Sequence, residues 1–306
     1  MTAHQVELRL AFTPPLDPSN LFGHLAATAV PGAEEWRDGR YRAAFTLRGG
    51  AAIAEVGLPE GDALPVVLRL ADPADEEAAV ARVRRAFDLD LDAPAMTAAL
   101  SADPALAPLV AAAPGRRAPG TLDPEAMVLR AVLGQQVSTA AARTHAARLV
   151  QAFGAPVDDP AGGLTHRFPT AATLDGDAER VAAGLGLPAV RKRTFAVVAA
   201  ALASGGVDLA APPAAVRDAL LALPGVGPWT ADTVLMRALG HADAFLEGDL
   251  GVAAAARALG LPDGPRALAR HAERWAPHRT HAVQYLWATL PHAVNRLPED
   301  EGAPRG

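Results

Sequence analysis

Leu220-Leu221-Ala222-Leu223-Pro224-Gly225-Val226-Gly227-Pro228-Trp229-Thr230-Ala231-Asp232 is the stretch on which the fold of this chain turns. Ahead of the turn, Val216, Ala219, Leu220 and Leu223 fall at i, i+3, i+4 and i+7, one face of a helix. Behind it, Ala231, Val234, Leu235 and Ala238 repeat that spacing. Pro224 with Gly225 forbids one continuous helix, and the gap is too short for a domain linker. The stretch therefore reads as a tight helix–hairpin–helix. Its glycines bare the backbone, and the second helix turns its unpaired N–H groups outward, a seat for an anion such as phosphate. A plain turn between two helices is the competing reading.

Working outward toward the N-terminus, the periodicity changes from helical to alternating. Val6, Leu8 and Leu10 alternate with Glu7 and Arg9 in a half-buried strand that Pro14 and Pro15 end. Asp17 or Ser19 caps a helix through Leu21, Leu25 and Ala29. Strands are expected over 40–47, 51–57 and 66–70, followed by a helix over 72–87 with Ala79, Val80, Val83 and Phe87 on one face. Residues 1–90 thus form an α+β unit, an antiparallel sheet with helices packed in two layers. From residue 91 to 306 strand signals cease and helices follow one another: from Asp123-Pro124-Glu125, Ser138, Asp175 or Asp177, Arg191, Leu250, Pro265 and Arg279. Pro298 to Gly306 is expected to fray.

Composition removes whole classes of chemistry. With no cysteine there is no disulfide, thiolate zinc site, cysteine nucleophile or Cys-ligated iron–sulfur cluster. The net charge of −6 argues against broad, non-specific nucleic-acid binding but leaves room for a local basic face. No stretch reaches the roughly 18 apolar residues of a membrane span, and no leader is visible, so a cytoplasmic protein is expected. Metalloprotease, nucleophile-elbow and phosphate-loop motifs do not occur. Lys192 is the single lysine.

A few residues remain as carriers of chemistry. Asp249, at the mouth of a helix just past the hairpin, suits an N-cap, and a cap also holds a carboxylate still. Asp243 and Glu247 nearby are expected to be solvated. Trp229 opens the second hairpin helix and Trp287 lies on the last helix; core packing is the bland reading for both, and the expectation for Trp36 and Trp275. Gln135 and Gln136, beside Gly134, form an inter-helix loop whose amides also suit a nucleic-acid groove. Arg191-Lys192-Arg193 opposes the dipole of the helix it opens, which hints at an external anion.

Residues 223–231 followed by Leu246-Glu247-Gly248-Asp249-Leu250 resemble the signature of helix–hairpin–helix DNA glycosylases. Phe12-Thr13-Pro14-Pro15-Leu16-Asp17, residues 131–138 and Arg279 to Trp287 are similar to 3-methyladenine DNA glycosylase II, the AlkA type, in the same order along nearly the whole chain. The resemblance implies an α+β unit ahead of an all-α core of two helical lobes with the active-site cleft between them. It implies that Asp249 is the catalytic carboxylate in hydrolysis of the N-glycosidic bond of alkylated bases, such as 3-methyladenine and 7-methylguanine, in double-stranded DNA. Trp287, Trp229, His24, Thr233 and Leu250 stand at base-pocket positions, and Gln136 at that of the wedge that fills the gap left by the flipped nucleotide. Pro224, Gly225, Val226, Gly227 and Thr230 would hold the DNA backbone, with a sodium or potassium ion on the carbonyls of Leu221, Leu223 and Val226. Relatives that also nick the strand carry a Schiff-base lysine where this chain has Trp229, so a monofunctional enzyme is implied. A monomer is expected. Gln136 replaces an aliphatic wedge, and His24, Thr233 and Leu250 replace rings, which bears on lesion range. The rival reading is a non-catalytic module that binds damaged or bent DNA.

Overall fold

A computed structural model of the chain describes residues 4–299, so the end expected to fray falls, beyond Glu299, outside the described residues. The first unit holds β1 (His4–Ala11), α1 (Ser19–Thr28), β2 (Glu34–Arg37), β3 (Arg40–Leu47), β4 (Gly50–Gly57), β5 (Ala63–Leu70) and α2 (Glu76–Ala86). The strands make one antiparallel sheet in the order β1-β5-β4-β3-β2, with Val6 opposite Leu68 and Ala43 opposite Ala54. Alternation in β1 leaves it half-exposed at the sheet edge, as its sequence requires. β2 was not expected from the sequence: Glu34-Glu35-Trp36-Arg37 has no apolar alternation, and it forms because β3 offers it an edge.

The inner sheet face (Phe45, Val56, Leu64, Leu68) packs on Phe22 of α1 and on Val83 and Phe87 at the end of α2. Phe22 meets Phe87 and Trp36 with ring centres 5.5 and 5.6 Å apart, so Trp36 serves the packing role expected of it. The outer face is covered by the loop near Asp159. Leu164 packs on Ala44 and Ile53, and buried Arg42 pairs with Asp159 at 2.7 Å and with Glu35. Nothing in the alternation of β3 signals that its second face is also covered.

The helices that follow are α3 (Ala93–Ser101), α4 (Ala107–Ala112), α5 (Pro124–Leu133), α6 (Thr139–Phe153), α7 (Ala171–Gly176), α8 (Ala178–Gly184), α9 (Ala189–Ala203), α10 (Pro213–Leu221), α11 (Pro228–Arg237), α12 (Leu250–Ala258), α13 (Pro265–Ala272) and α14 (Arg279–Ala288). The fold is α+β, with the hairpin between α10 and α11. Asp123 and Ser138 cap α5 and α6 as their sequences imply. Two details differ from expectation. The helix expected from Asp175 or Asp177 is preceded by α7, capped by Thr170. Asp17 does not cap α1 directly but accepts from Ser19 N–H and Oγ at 3.0 and 2.9 Å. A second core runs through these helices, and it draws Val30 and Ala33 from the N-terminal unit.

Asp243 is not solvated. It accepts from Arg279 Nε (2.8 Å) and Nη2 (2.7 Å), while Thr280 Oγ1 donates to the His241 carbonyl (2.7 Å), so the start of α14 is tied to the loop before Asp249. Trp275 is fully buried, and its Nε1 donates to Asp103 Oδ2 (2.8 Å), which is also 2.8 Å from His271 Nε2. Burial alone would raise the Asp103 carboxyl, but the Trp275 indole, the Ala105 amide and His271 outweigh it and hold it below its usual range. A lowered carboxyl stabilises the fold above its unfolded value of about 3.9, and that contribution is lost as pH falls through the folded value. Acid titration of unfolding is therefore expected to lose stability below about pH 4. Asp103→Asn should flatten that acid limb and lower neutral stability by about 1–3 kcal/mol.

Candidate active site

The hairpin is built by three anchors. Val226 turns its side chain into the core (8% exposed) and donates its N–H to the Leu223 carbonyl at 3.1 Å. Arg217 of α10 pairs with buried Asp232 of α11 through Nε at 2.7 Å. Gly225 adopts φ +86°, and a Cβ there would lie 1.9 Å from Thr194 Oγ1 of α9. Gly225→Ala adds backbone strain to that collision, for an expected loss of about 1–3 kcal/mol in thermal unfolding. Gly205, at φ +76° with nothing near, supplies the control: Gly205→Ala should show only the strain.

Among the described residues, the N–H groups of Gly225 and Gly227 have no acceptor, and α11 has no side-chain cap. Exposed Pro224 and Gly225 leave this end of α11 bare. Val226 is the exception to the expected row of free amides, because its N–H closes the turn. Thr230 is buried (3% exposed), and its Oγ1 accepts from Gln135 Nε2 at 3.0 Å; the same amide is 3.2 Å from the Gly225 carbonyl. The side chain of Thr230 is thus committed within the protein, and Gln135, rather than a groove residue, is the tie between hairpin and the α5–α6 turn. Gln136 beside it is exposed and held at φ +55°, a left-handed conformation uncommon outside glycine. Among the described residues, the carbonyls of Leu221 and Val226 accept no backbone hydrogen bond, and that of Leu223 accepts one only from Val226.

Asp249 caps α12, with Oδ1 accepting from Val252 N–H at 2.8 Å. Two indoles complete its coordination: Trp287 Nε1 donates to Oδ1 and Trp229 Nε1 to Oδ2, each at 2.9 Å. Both oxygens are thereby fixed by aromatic rings that also wall the cleft. Gly251 permits this approach, since a Cβ there would sit 3.1 Å from Trp287 Nε1 and 3.2 Å from Asp249 Oδ1. Glycine in the first turn of a helix costs about 1 kcal/mol against alanine, and that is the only sequence signal Gly251 carried.

The cleft has a volume of about 480 Å³. His24 of α1, Trp229, Thr233 and Arg237 of α11, Asp249 and Trp287 of α14 line it together with Glu34, Tyr41 and Arg130. Leu250 does not line it; it points outward with 86% exposed. Arg237 was not anticipated. It is 4% exposed, donates to the Pro119 carbonyl, and lies over the Trp287 ring at 5.4 Å. Burial lowers its guanidinium to about 9, so it remains a cation at neutral pH. Arg130 is balanced by Glu34 at 2.7 Å. Burial, then the Arg237 and Arg130 charges, holds the His24 imidazole well below its usual range and so neutral. In a larger groove of about 780 Å³, Asp123 and Arg82 are in structural use, Asp123 capping α5 and Arg82 donating to the Thr46 and Leu122 carbonyls.

The chain has relatives among known proteins. The family model described as the AlkA N-terminal domain matches residues 7–123. The chain is 31% identical to DNA-3-methyladenine glycosylase 2 of Escherichia coli (strain K12) over 285 residues, 92% of this chain and 96% of that one. The chain belongs to the AlkA family. It is also 48% identical over 302 residues to a Mycobacterium tuberculosis protein named a probable bifunctional transcriptional activator/DNA repair enzyme AlkA; the match takes in 98% of this chain and spans 60% of that relative's length. Among solved structures, a 3-methyladenine DNA-glycosylase from Archaeoglobus fulgidus superposes with a TM-score of 0.77 at 23% identity, covering 93% of this chain and 97% of that one, and shares the fold. In this AlkA-family chain the aspartate and tryptophans expected from sequence converge. Among the described residues no helix is long and apolar enough to cross a membrane, and no cluster of His, Asp or Glu is arranged to hold a metal.

Proposed function

We propose that this chain is a monofunctional DNA glycosylase of base excision repair, hydrolysing the N-glycosidic bond of alkylated bases such as 3-methyladenine and 7-methylguanine in duplex DNA. The observation that carries the reading is Asp249, clamped on both oxygens by Trp229 and Trp287 at the wall of a cleft beside the bare hairpin. As the base departs, positive charge develops on the sugar. A carboxylate that cannot rotate away stabilises that charge without reorganisation and orients the attacking water. Trp287 and Trp229 offer π faces to an electron-poor ring. The free N–H groups of Gly225 and Gly227 hold a backbone phosphate, and a sodium or potassium ion on the carbonyls of Leu221, Leu223 and Val226 would add positive charge there. Gln136, exposed and conformationally strained, takes the wedge position. Leu250, at the rim, meets DNA outside the pocket. The Asp249 site has Trp229 where strand-nicking relatives carry lysine, and Lys192 lies on α9, so no lyase step is proposed. With no cysteine to ligate one, no iron–sulfur cluster is proposed. Residues 1–90 and 91–306 act as its two structural parts, as a monomer, in the cytoplasm at the nucleoid.

The test is incubation with duplexes carrying 7-methylguanine or 1,N6-ethenoadenine. Base release followed by strand cleavage only after alkali is the expected result. Cleavage without alkali would remove the monofunctional assignment. Binding without any base release would favour the non-catalytic, damage-binding module.

A further inference from the structure

Around the cleft, several polar side chains are committed to the protein. Thr28 Oγ1 donates to the His24 carbonyl (2.8 Å) and Thr233 Oγ1 to the Trp229 carbonyl (2.7 Å). Glu34 pairs with Arg130 and accepts from Val30 N–H, Arg237 serves the Pro119 carbonyl, and Asn295 Nδ2 donates to the Trp287 carbonyl at 2.9 Å. His24 differs: it lines the cleft, and its imidazole has no hydrogen-bond partner among the described residues. α1 is held there by the close passage of the chain after α14, since a Cβ on Gly23 would lie 2.1 Å from the Arg296 carbonyl oxygen. The ring is therefore positioned by the fold yet left with a free donor and a free acceptor.

We propose that His24 hydrogen-bonds the edge of the flipped base and so sets the enzyme's capacity for uncharged purine lesions relative to cationic N-alkylpurines. This rests on the glycosylase reading of Asp249. A cationic base takes the glycosidic electron pair and departs neutral, so it needs little help from the pocket. An uncharged purine takes the same pair and departs with negative charge. Water forms the new bond to the sugar carbon and gives its proton to Asp249, while the departing purine collects a proton from solvent. Until then its charge must be met by a donor. The His24 N–H supplies one, and the buried Arg237 cation adds favourable potential near it. Low basicity keeps the imidazole in the form that has both one donor and one acceptor. An aromatic hydrocarbon at this position would stack on either class of base but meet neither class with a donor.

Single-turnover excision from duplexes carrying hypoxanthine (uncharged) or 7-methylguanine (cationic) tests the proposal, with wild type, His24→Phe and His24→Gln compared. For His24→Phe the ratio of hypoxanthine to 7-methylguanine rates should fall on the order of tenfold or more, the worth of one hydrogen bond to a developing charge. His24→Gln, which retains a donor, should restore most of the ratio. An equal fall on both lesions marks a merely structural role and overturns the proposal, as does an unchanged ratio. Wild type that releases 7-methylguanine but no hypoxanthine overturns it too. Wild type that releases neither base defeats the glycosylase reading itself.

Discussion

Asp249→Asn is expected to abolish base release while leaving fold and DNA affinity largely in place. Asparagine caps helices about as well as aspartate, so α12 should hold and thermal unfolding should shift by less than about 1 kcal/mol from the cap alone. The chemistry has no such substitute. Removing the charge from a group aimed at a developing cation costs on the order of 10²–10³ in rate where a single oxyanion donor is lost. A full carboxylate beside the sugar should cost at least the upper part of that range. The two indoles make the variant worse. Oδ1 already serves both Val252 N–H and Trp287 Nε1, so an asparagine keeps its oxygen there and turns its amide NH₂ toward Trp229 Nε1, donor against donor. Trp229 must then lose its partner or move, and a change in tryptophan fluorescence should accompany the loss of activity. Single-turnover excision, a gel-shift titration and a melt on the same preparation separate these effects. Retention of more than about a tenth of the wild-type rate would mean that another group carries the reaction.

The largest effect on stability is expected at Arg117. Its side chain is fully buried and makes no ion pair among the described residues, although the Asp88 charge offsets part of the burial. Nη1 donates to the carbonyls of Asp88 (3.1 Å) and Leu91 (3.3 Å), and Nη2 to those of Thr13 (2.6 Å) and Pro15 (2.9 Å). One guanidinium thus joins the chain after β1, the chain after α2 and the loop before α5. Burial lowers its pKa, a sign of how completely water is excluded. Arg117→Met fills much of the volume but leaves four carbonyls without donors, each costing about 1–3 kcal/mol when desolvated. The expected loss is at least about 3 kcal/mol after partial relaxation, read as a fall in the urea midpoint with an unchanged slope. Arg117→Lys should recover less than half, because an ammonium lacks the planar fork that reaches four acceptors. A loss below about 1 kcal/mol would show that water or a backbone shift satisfies those carbonyls instead.

The two residues mark the boundary of what a sequence discloses. Asp249 was legible as a helix cap because those signals are local, a carboxylate opening an apolar-periodic helix a short distance past a Pro/Gly turn; its place as the acid of the site was implied only by the family resemblance. The hairpin was legible for the same reason, and so were the strands on either side of the Gly49-Gly50 turn. Arg117 read only as an arginine in a loop, since its partners at Thr13 and Pro15 lie 104 and 102 positions away in the chain. Asp243 read as solvated because Arg279, its partner, is 36 positions on. β2 escaped because its four residues are polar or large, and only the open edge of β3 makes a strand of them.

Local order in this chain was therefore determined by the sequence directly, through apolar spacing, caps, prolines and glycines that act within a few residues. The hairpin, its bare amides at Gly225 and Gly227, and the capping carboxylate all belong to that level. Beyond its local cap on Val252, tertiary structure decided what the carboxylate touches. Trp229 and Trp287 reach Asp249 from 20 and 38 positions away and from two different helices, and Gly251 leaves the room they need. It also set neutral His24 beside the Arg237 cation, and turned Thr230 and Gln135 toward each other rather than outward. Periodicity reports which face of an element is buried, but not which other element covers it. The convergence of a fixed acid, two indoles and an imidazole without a partner among the described residues on a single cleft is a property of that covering.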